Sequence, residues 1–262
     1  MPPRGSLPCK QKKCGSEESR LHRGRARLAE IVEERAFVLH FQPIVGLQEG
    51  RTSHYEALLR LPDSGCGPLL PPEPFLRAAE RYGLAPALDR AVIEVACERL
   101  GRSGATVAIN LSALSLTDAS LVDFVASALR RWAVGPKQVI LEITETAAIP
   151  DLEQAAAVLG ALRELGVRVA FDDFGVGCNS LQYLTTLPFD IVKIDGLFIR
   201  RLLASSSDRL VVEAVVALAR GLGKQTVAEY VADSETVSLL RSLGVDHAQG
   251  FALGRPRATV AR

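Results

Sequence analysis

Only the stretch Gly46 to Gly50 separates two β-branched runs, Phe37–Val45 and Thr52–Leu59, and no other feature constrains the fold as tightly. A crossover between parallel strands needs a dozen or more residues, so these two strands must form an antiparallel hairpin. Downstream the pattern changes. Short runs rich in Val and Ile (Thr106–Leu111, Val139–Ile143, Val167–Asp172, Ile191–Asp195, Thr226–Glu229 and a last one near Asp246–Phe251) alternate with longer stretches of helical periodicity. In Leu152–Leu165, for example, Val158, Leu159, Leu162 and Leu165 share one helical face, and Asp208–Leu222 repeats the pattern. Pro68, Pro71, Pro72 and Pro74 mark a stiff loop leading into a short helix, Phe75–Tyr82, ahead of a longer one, Ala85–Leu100. Repeated βα units imply a parallel sheet, and eight strands imply closure. The expectation is an α/β fold: a TIM-like (β/α)8 barrel with its first strand antiparallel.

A chain of 262 residues with 48% apolar and 23% charged residues can bury one large core. The single domain is expected to span residues 27–258, with 259–262 as a short C-terminal tail. Residues 1–27 carry eight Lys or Arg against two Glu, a net +6 in a chain of total charge +1, so the remainder carries −5. Residues 1–26 read as a basic, disordered tail that could touch nucleic acid or anionic lipid but reads better as a solvated linker or a mis-called start, so no nucleic-acid polymer is expected as a partner. No run approaches the roughly 20 apolar residues of a membrane span, and the N-terminus lacks the apolar core of a signal peptide, so a cytoplasmic protein is expected. Five cysteines, an odd number without paired spacing, argue against a disulfide framework or a zinc ribbon.

The chemistry sits at the strand ends. Glu56, Asn110, Glu142, Asp172, Asp173 and Glu229 all lie within or at the ends of predicted strands, which is the active-site rim of a barrel. Singly, an Asp or Asn after a strand is as well explained as the cap of the next helix. Six oxygen donors from five strands are harder to explain so. Five carboxylates converging on one rim repel one another unless cations neutralise them, and a donor set without His or Cys favours Mg²⁺ or Mn²⁺. The adjacent pair Asp172 and Asp173 could serve two ions roughly 3.5–4 Å apart. Alternation along Ile191–Asp195 puts Lys193 and Asp195 on the face opposite Val192 and Ile194, the barrel interior. There a lysine either offsets charge on a transition state or snorkels to solvent. Arg60 follows the second strand with a guanidinium suited to phosphate. The stretch from Asp172 to Gly177 reads equally as a closing loop or as a tight turn into a helix.

These stretches together resemble the EAL domain, whose naming triplet stands here as Glu56-Ala57-Leu58. The resemblance begins at Phe41-Gln42-Pro43-Ile44-Val45. It continues through Ile109-Asn110-Leu111-Ser112, Leu141-Glu142-Ile143-Thr144-Glu145 and Phe171-Asp172-Asp173-Phe174-Gly175. It ends with Val192-Lys193-Ile194-Asp195, Val227-Ala228-Glu229 and Gln249-Gly250-Phe251. It implies a phosphodiesterase that hydrolyses cyclic di-GMP to linear pGpG with two divalent ions. Glu56, Asn110, Glu142 and Asp172 would hold one ion, and Asp172, Asp173 and Glu229 the other. Lys193, Gln249 and Glu229 would act at the reacting phosphate, and Gln42, Arg60 and Asp195 would meet the substrate. Glu145 would anchor the loop from Asp173 to Ser180 and couple it to a homodimer. The chain departs from the family pattern at Ala228-Glu229-Tyr230-Val231-Ala232, where Ala-Glu-Gly-Val-Glu is usual, and at Cys178 and Asn179. The alternative that these departures support is a catalytically weak cyclic di-GMP receptor.

Overall fold

The computed structural model describes residues 17–62, 72–144, 149–177 and 180–260. Eight strands form a closed barrel in sequence order: β1 Val38–Gly46, β2 Arg51–Arg60, β3 Val107–Leu111, β4 Val139–Thr144, β5 Arg168–Phe174, β6 Ile191–Ile194, β7 Gln225–Ala228 and β8 His247–Gln249. β1 runs antiparallel to both its neighbours, β2 and β8, and the remaining pairs are parallel. The hairpin that the short turn required is therefore present, and the first strand is the reversed one.

The helices are α1 Glu17–Glu33, α2 Glu73–Arg81, α3 Ala85–Ser103, α4 Ser120–Arg131, α5 Leu152–Glu164, α6 Ser180–Thr186, α7 Gly196–Ile199, α8 Ser206–Gly221 and α9 Ser234–Leu243. Their ends follow local chemistry. Asp151, Ser205 and Asp233 cap α5, α8 and α9 by accepting hydrogen bonds from backbone N–H groups of the first turn. Gly104 and Gly244 close α3 and α9 in the left-handed conformation. Helix α1 begins at Glu17, within the stretch 1–26 that the sequence reads as a basic tail. Leu28 and Val32, one turn apart, are buried in the main core and anchor the helix, which then propagates toward the N-terminus.

Two cores result from the period-2 alternation of the strands. Outward-facing residues such as Val107, Ile109, Leu141, Ile143, Val192 and Ile194 pack under the helices. Inside the barrel, Ile44, Ala108, Ile140, Ala170, Ile191 and Val227 form a separate, fully enclosed plug. Two residues further on from five of these stand Asn110, Glu142, Asp172, Lys193 and Glu229. The same alternation that builds the plug thus raises a polar layer directly above it, at the C-terminal ends of the parallel strands.

Candidate active site

Lys193 stands at the centre of that layer. Its Nζ donates to Glu142 Oε2 at 2.8 Å and lies 3.0 Å from Asp172 Oδ2, 2.9 Å from Glu229 Oε1 and 3.9 Å from Glu56 Oε2. The lysine is 1% exposed, so it does not snorkel to solvent. Glu56 is clamped from the other side. Asn110 Nδ2 donates to its Oε1 at 2.9 Å and Gln249 Nε2 to its Oε2 at 2.6 Å. Gln249 Nε2 also reaches Gln42 Oε1 at 3.2 Å, and Gln42 Nε2 donates to the Gly254 carbonyl at 3.1 Å. Eight residues that the sequence singled out, one contributed along each of the eight strands or just past its end, therefore meet in one layer.

Asp173 joins them through an irregularity. Neighbouring residues of a regular strand point to opposite faces, yet ligand oxygens of Asp172, Asp173 and Glu229 lie within 4.8 Å of one another. The register between β5 and β6 shifts between Phe171 and Phe174, and Asp173 takes a positive φ of 58°. This bulge turns the second carboxylate toward the mouth, and the Asp173 backbone N–H donates to Asp172 Oδ1 at 2.9 Å.

The electrostatics are those of surplus negative charge. Burial pushes the carboxyl of Glu142 well above its ordinary range and raises that of Asp172, against the pull of Lys193. Glu229 is pushed up to about 8, by burial first and then by Asp172. Asp173 rises to about 6, through burial, Asp172 and Asp195. For Lys193 burial opposes the charge, but Asp172, Glu142, Glu229 and Glu56 outweigh it and hold the ammonium well above its usual value. One cation does not balance four buried carboxylates. The donor set fits divalent cations: oxygen ligands in surplus, and a buried Gln249 Oε1 with no hydrogen-bond partner among the described residues.

Two expected substrate residues lie apart from this layer. Arg60 sits in a cavity of about 200 Å³ shared with Asn110, Ser112 and Thr144. Its Nη1 donates to the Leu59 carbonyl at 2.8 Å. Asp195 falls one residue past the end of β6 and caps α7 through Leu197 N at 2.7 Å, with Asp173 beside it. Glu145 lies outside the described residues, as do Cys9, Cys14, Cys66, Cys178, Asn179, Pro68 and Pro71. A larger cleft of about 670 Å³ opens at the opposite end of the barrel, where Arg163 grips Asp190 at 2.7 Å. None of the candidate ligands lines it, whereas Asn110 lines the smaller cavity beside the carboxylate layer.

Asp89 is a residue that the sequence did not single out. It is buried in α3, accepts from Ser112 N at 2.8 Å and Ser115 Oγ at 2.6 Å, and so fixes the turn after Asn110. Burial holds its carboxyl up at about 6 despite those bonds. An acid on a helix that packs against the barrel is a signal of such a role, but its partner is more than twenty residues away.

A reversed-first-strand α/β barrel whose buried lysine is ringed by metal-type carboxylates is a defined protein class, and comparison with known proteins agrees. The chain matches the EAL domain over residues 25–256 and belongs to that family. It is 38% identical over 237 residues to the cyclic di-GMP phosphodiesterase PdeB of Shewanella oneidensis, covering 88% of this chain and 28% of that protein. It is 40% identical over 235 residues to MucR of Pseudomonas aeruginosa, a bifunctional diguanylate cyclase/cyclic di-GMP phosphodiesterase, covering 87% and 34%. The chain thus spans about a third or less of these relatives. Among solved structures, the MucR phosphodiesterase in complex with c-di-GMP superposes with a TM-score of 0.81 at 39% identity, covering 90% of this chain and 97% of that one. The FimX EAL domain of Pseudomonas aeruginosa bound to c-di-GMP gives 0.82 at 29%, covering 90% and 97%.

Proposed function

We propose that this domain hydrolyses cyclic di-GMP to linear pGpG with two divalent ions, Mg²⁺ or Mn²⁺. The observation that carries the reading is Lys193 within 3.0 Å of carboxylates from three strands, in a layer that retains every ligand the family resemblance implies. Glu56, Asn110, Glu142 and Asp172 would hold one ion, and Asp172, Asp173 and Glu229 the other. When bound, the ions supply Lewis-acid polarisation of the phosphate and lower the pKa of the attacking water.

The chain's own residues position and compensate. As the water oxygen bonds to phosphorus and the bond from phosphorus to O3′ breaks, charge builds on the non-bridging oxygens, and the Lys193 ammonium is already in place to offset it. Gln249 keeps Glu56 fixed through Nε2 and leaves Oε1 to accept a hydrogen from the water. Arg60, beside the layer, would grip the second phosphate, and Gln42 and Asp195 would border the path of the nucleotide. The apolar plug below closes the barrel to water from the far end. The reading includes a cytoplasmic location and a homodimer, neither of which the chemistry requires; among the described residues no helix is long and apolar enough to cross a membrane.

The test is incubation of the purified chain with cyclic di-GMP and Mn²⁺ or Mg²⁺, followed by chromatography of the nucleotides. Formation of pGpG is expected. Nucleotide that binds tightly but is recovered intact with either ion would replace hydrolysis by the receptor reading.

A further inference from the structure

We propose that Tyr230 is a positioning residue: by wedging α7 between the two chain segments that carry Asp173 and Glu229, it sets how tightly the Asp172–Asp173–Glu229 group holds a divalent cation. The inference rests on the metal reading above.

The starting observation is backbone strain. Tyr230, immediately after Glu229, has a φ of 54°, a conformation that a bulky L-residue rarely adopts. Tyr230 is 56% exposed, so burial returns little for that strain. Strain of this kind persists where the surroundings over-determine it, and it clusters at functional sites.

The surroundings here are specific. The ring lies directly on Gly196, where any Cβ would collide with Cδ2, so the contact exists only because position 196 is glycine. Arg200, just past the end of α7, places its guanidinium 4.2 Å from the ring centroid. Tyr230 thus grips α7 at both ends.

The other side of α7 faces the bulged loop. A Cβ at Gly175, whose φ is 101°, would come within 2.8 Å of Phe198, so that ring sits close against the loop backbone. Asp195, the cap of α7, adjoins Asp173. Because β5, β6 and β7 are consecutive in the barrel, α7 after β6 stands between the loop after β5 and the end of β7. It acts as the spacer between two carboxylates whose separation decides whether a cation fits. Changing groups that orient ligands from behind typically costs about 10–100-fold in metal affinity.

The experiment is Mn²⁺ titration calorimetry on the intact chain and on Y230G, Y230F, G196A and the Y230G/G196A double variant. Y230G is expected to weaken Mn²⁺ binding about tenfold, without a lower melting temperature, because glycine relieves the positive φ. Y230F keeps the ring and should bind as the parent does. G196A displaces the ring and should match Y230G, and the double variant should bind no worse than either single one. Parent-like affinity in Y230G, or additive losses in the double variant, would overturn the proposal while leaving the metal reading intact. A parent chain that binds no Mn²⁺, or a D173N variant that binds it equally well, would overturn both.

Discussion

Lys193 Nζ and Glu142 Oε2 face each other at 2.8 Å with both side chains only 1% exposed, yet the pair is not balanced, because Asp172 and Glu229 also crowd the same ammonium. Removing the lysine therefore does more than delete one contact. In Lys193→Ala, kcat is expected to fall by about 100-fold or more, the scale seen when one preorganised charge-stabilising donor is lost. In EDTA the variant should also lose about 3 kcal/mol of stability, since buried carboxylates are left without their cation. Added Mn²⁺ should return part of that loss. Denaturant melts with and without Mn²⁺, beside steady-state kinetics, check both statements, and an unchanged kcat would remove Lys193 from the mechanism.

Arg60 is separated from the carboxylate layer and lines the adjoining cavity. Its contact with substrate is available before the reaction begins, so Arg60→Ala should raise KM and change kcat by no more than about twofold. Kinetics indistinguishable from those of Lys193→Ala would show that the two roles are wrongly divided.

The raised carboxyls make the stability of the metal-free chain depend on pH. Glu229 holds its proton to about 8 when folded, against an ordinary value of 4.5, and Asp173 to about 6 against 3.8. Folding therefore takes up protons between these values, and stability must fall as pH rises through that window. In EDTA the melting temperature should decline from pH 5 to pH 8, with Asp89, held up at about 6, adding to the fall and His54, pushed down by burial to about 3 from 6.5, opposing it at the acidic end of the window. Mn²⁺, which favours the ionised carboxylates, should stabilise the chain progressively more toward pH 8. A melting temperature that rises with pH in EDTA would contradict the burial assigned to Glu229.

Ion identity gives a further discrimination. Mg²⁺ and Mn²⁺ are expected to support turnover, whereas Ca²⁺, larger and looser in coordination, should bind without supporting it. Equal turnover in EDTA would exclude the two-ion mechanism.

Below the polar layer, Ile140 is fully enclosed among the six plug residues. Ile140→Ala should cost about 3 kcal/mol through lost contacts and the cavity left behind. Measured unfolding free energies of the two chains in the presence of Mn²⁺ would test this, and a loss well under 1 kcal/mol would mean that the plug can collapse around the gap.

Much of this was legible in the sequence because it depends on local rules. A turn as short as Gly46 to Gly50 admits one strand direction only, and β1 obeys it. Alternation put Lys193 opposite Val192 and Ile194, and those two lie in the outer core while Lys193 stands buried above the inner plug. The same rule failed one residue later. β6 stops at Ile194, so Asp195 follows helix-cap geometry instead of strand alternation. The adjacency of Asp172 and Asp173 suggested two ions, but the bulge that lets both face the mouth is a register shift against β6, invisible in either strand alone. The fit of Tyr230 on Gly196 joins residues 34 positions apart, and no periodicity encodes it.

The reversed first strand has a topological consequence. Val38, where β1 begins, pairs with Arg60, where β2 ends, so the chain enters the barrel on the same side as the carboxylates, and β8 also ends there at Gln249. The bridge between Phe41 and Arg257 ties the incoming and outgoing segments together on that side. A regular eightfold barrel takes in its chain at the floor and, through the helix after its last strand, returns it there. Here both doors open onto the same room: the junction of α1 with β1 and the segment that reaches Arg257 both lie on the side of the carboxylate layer.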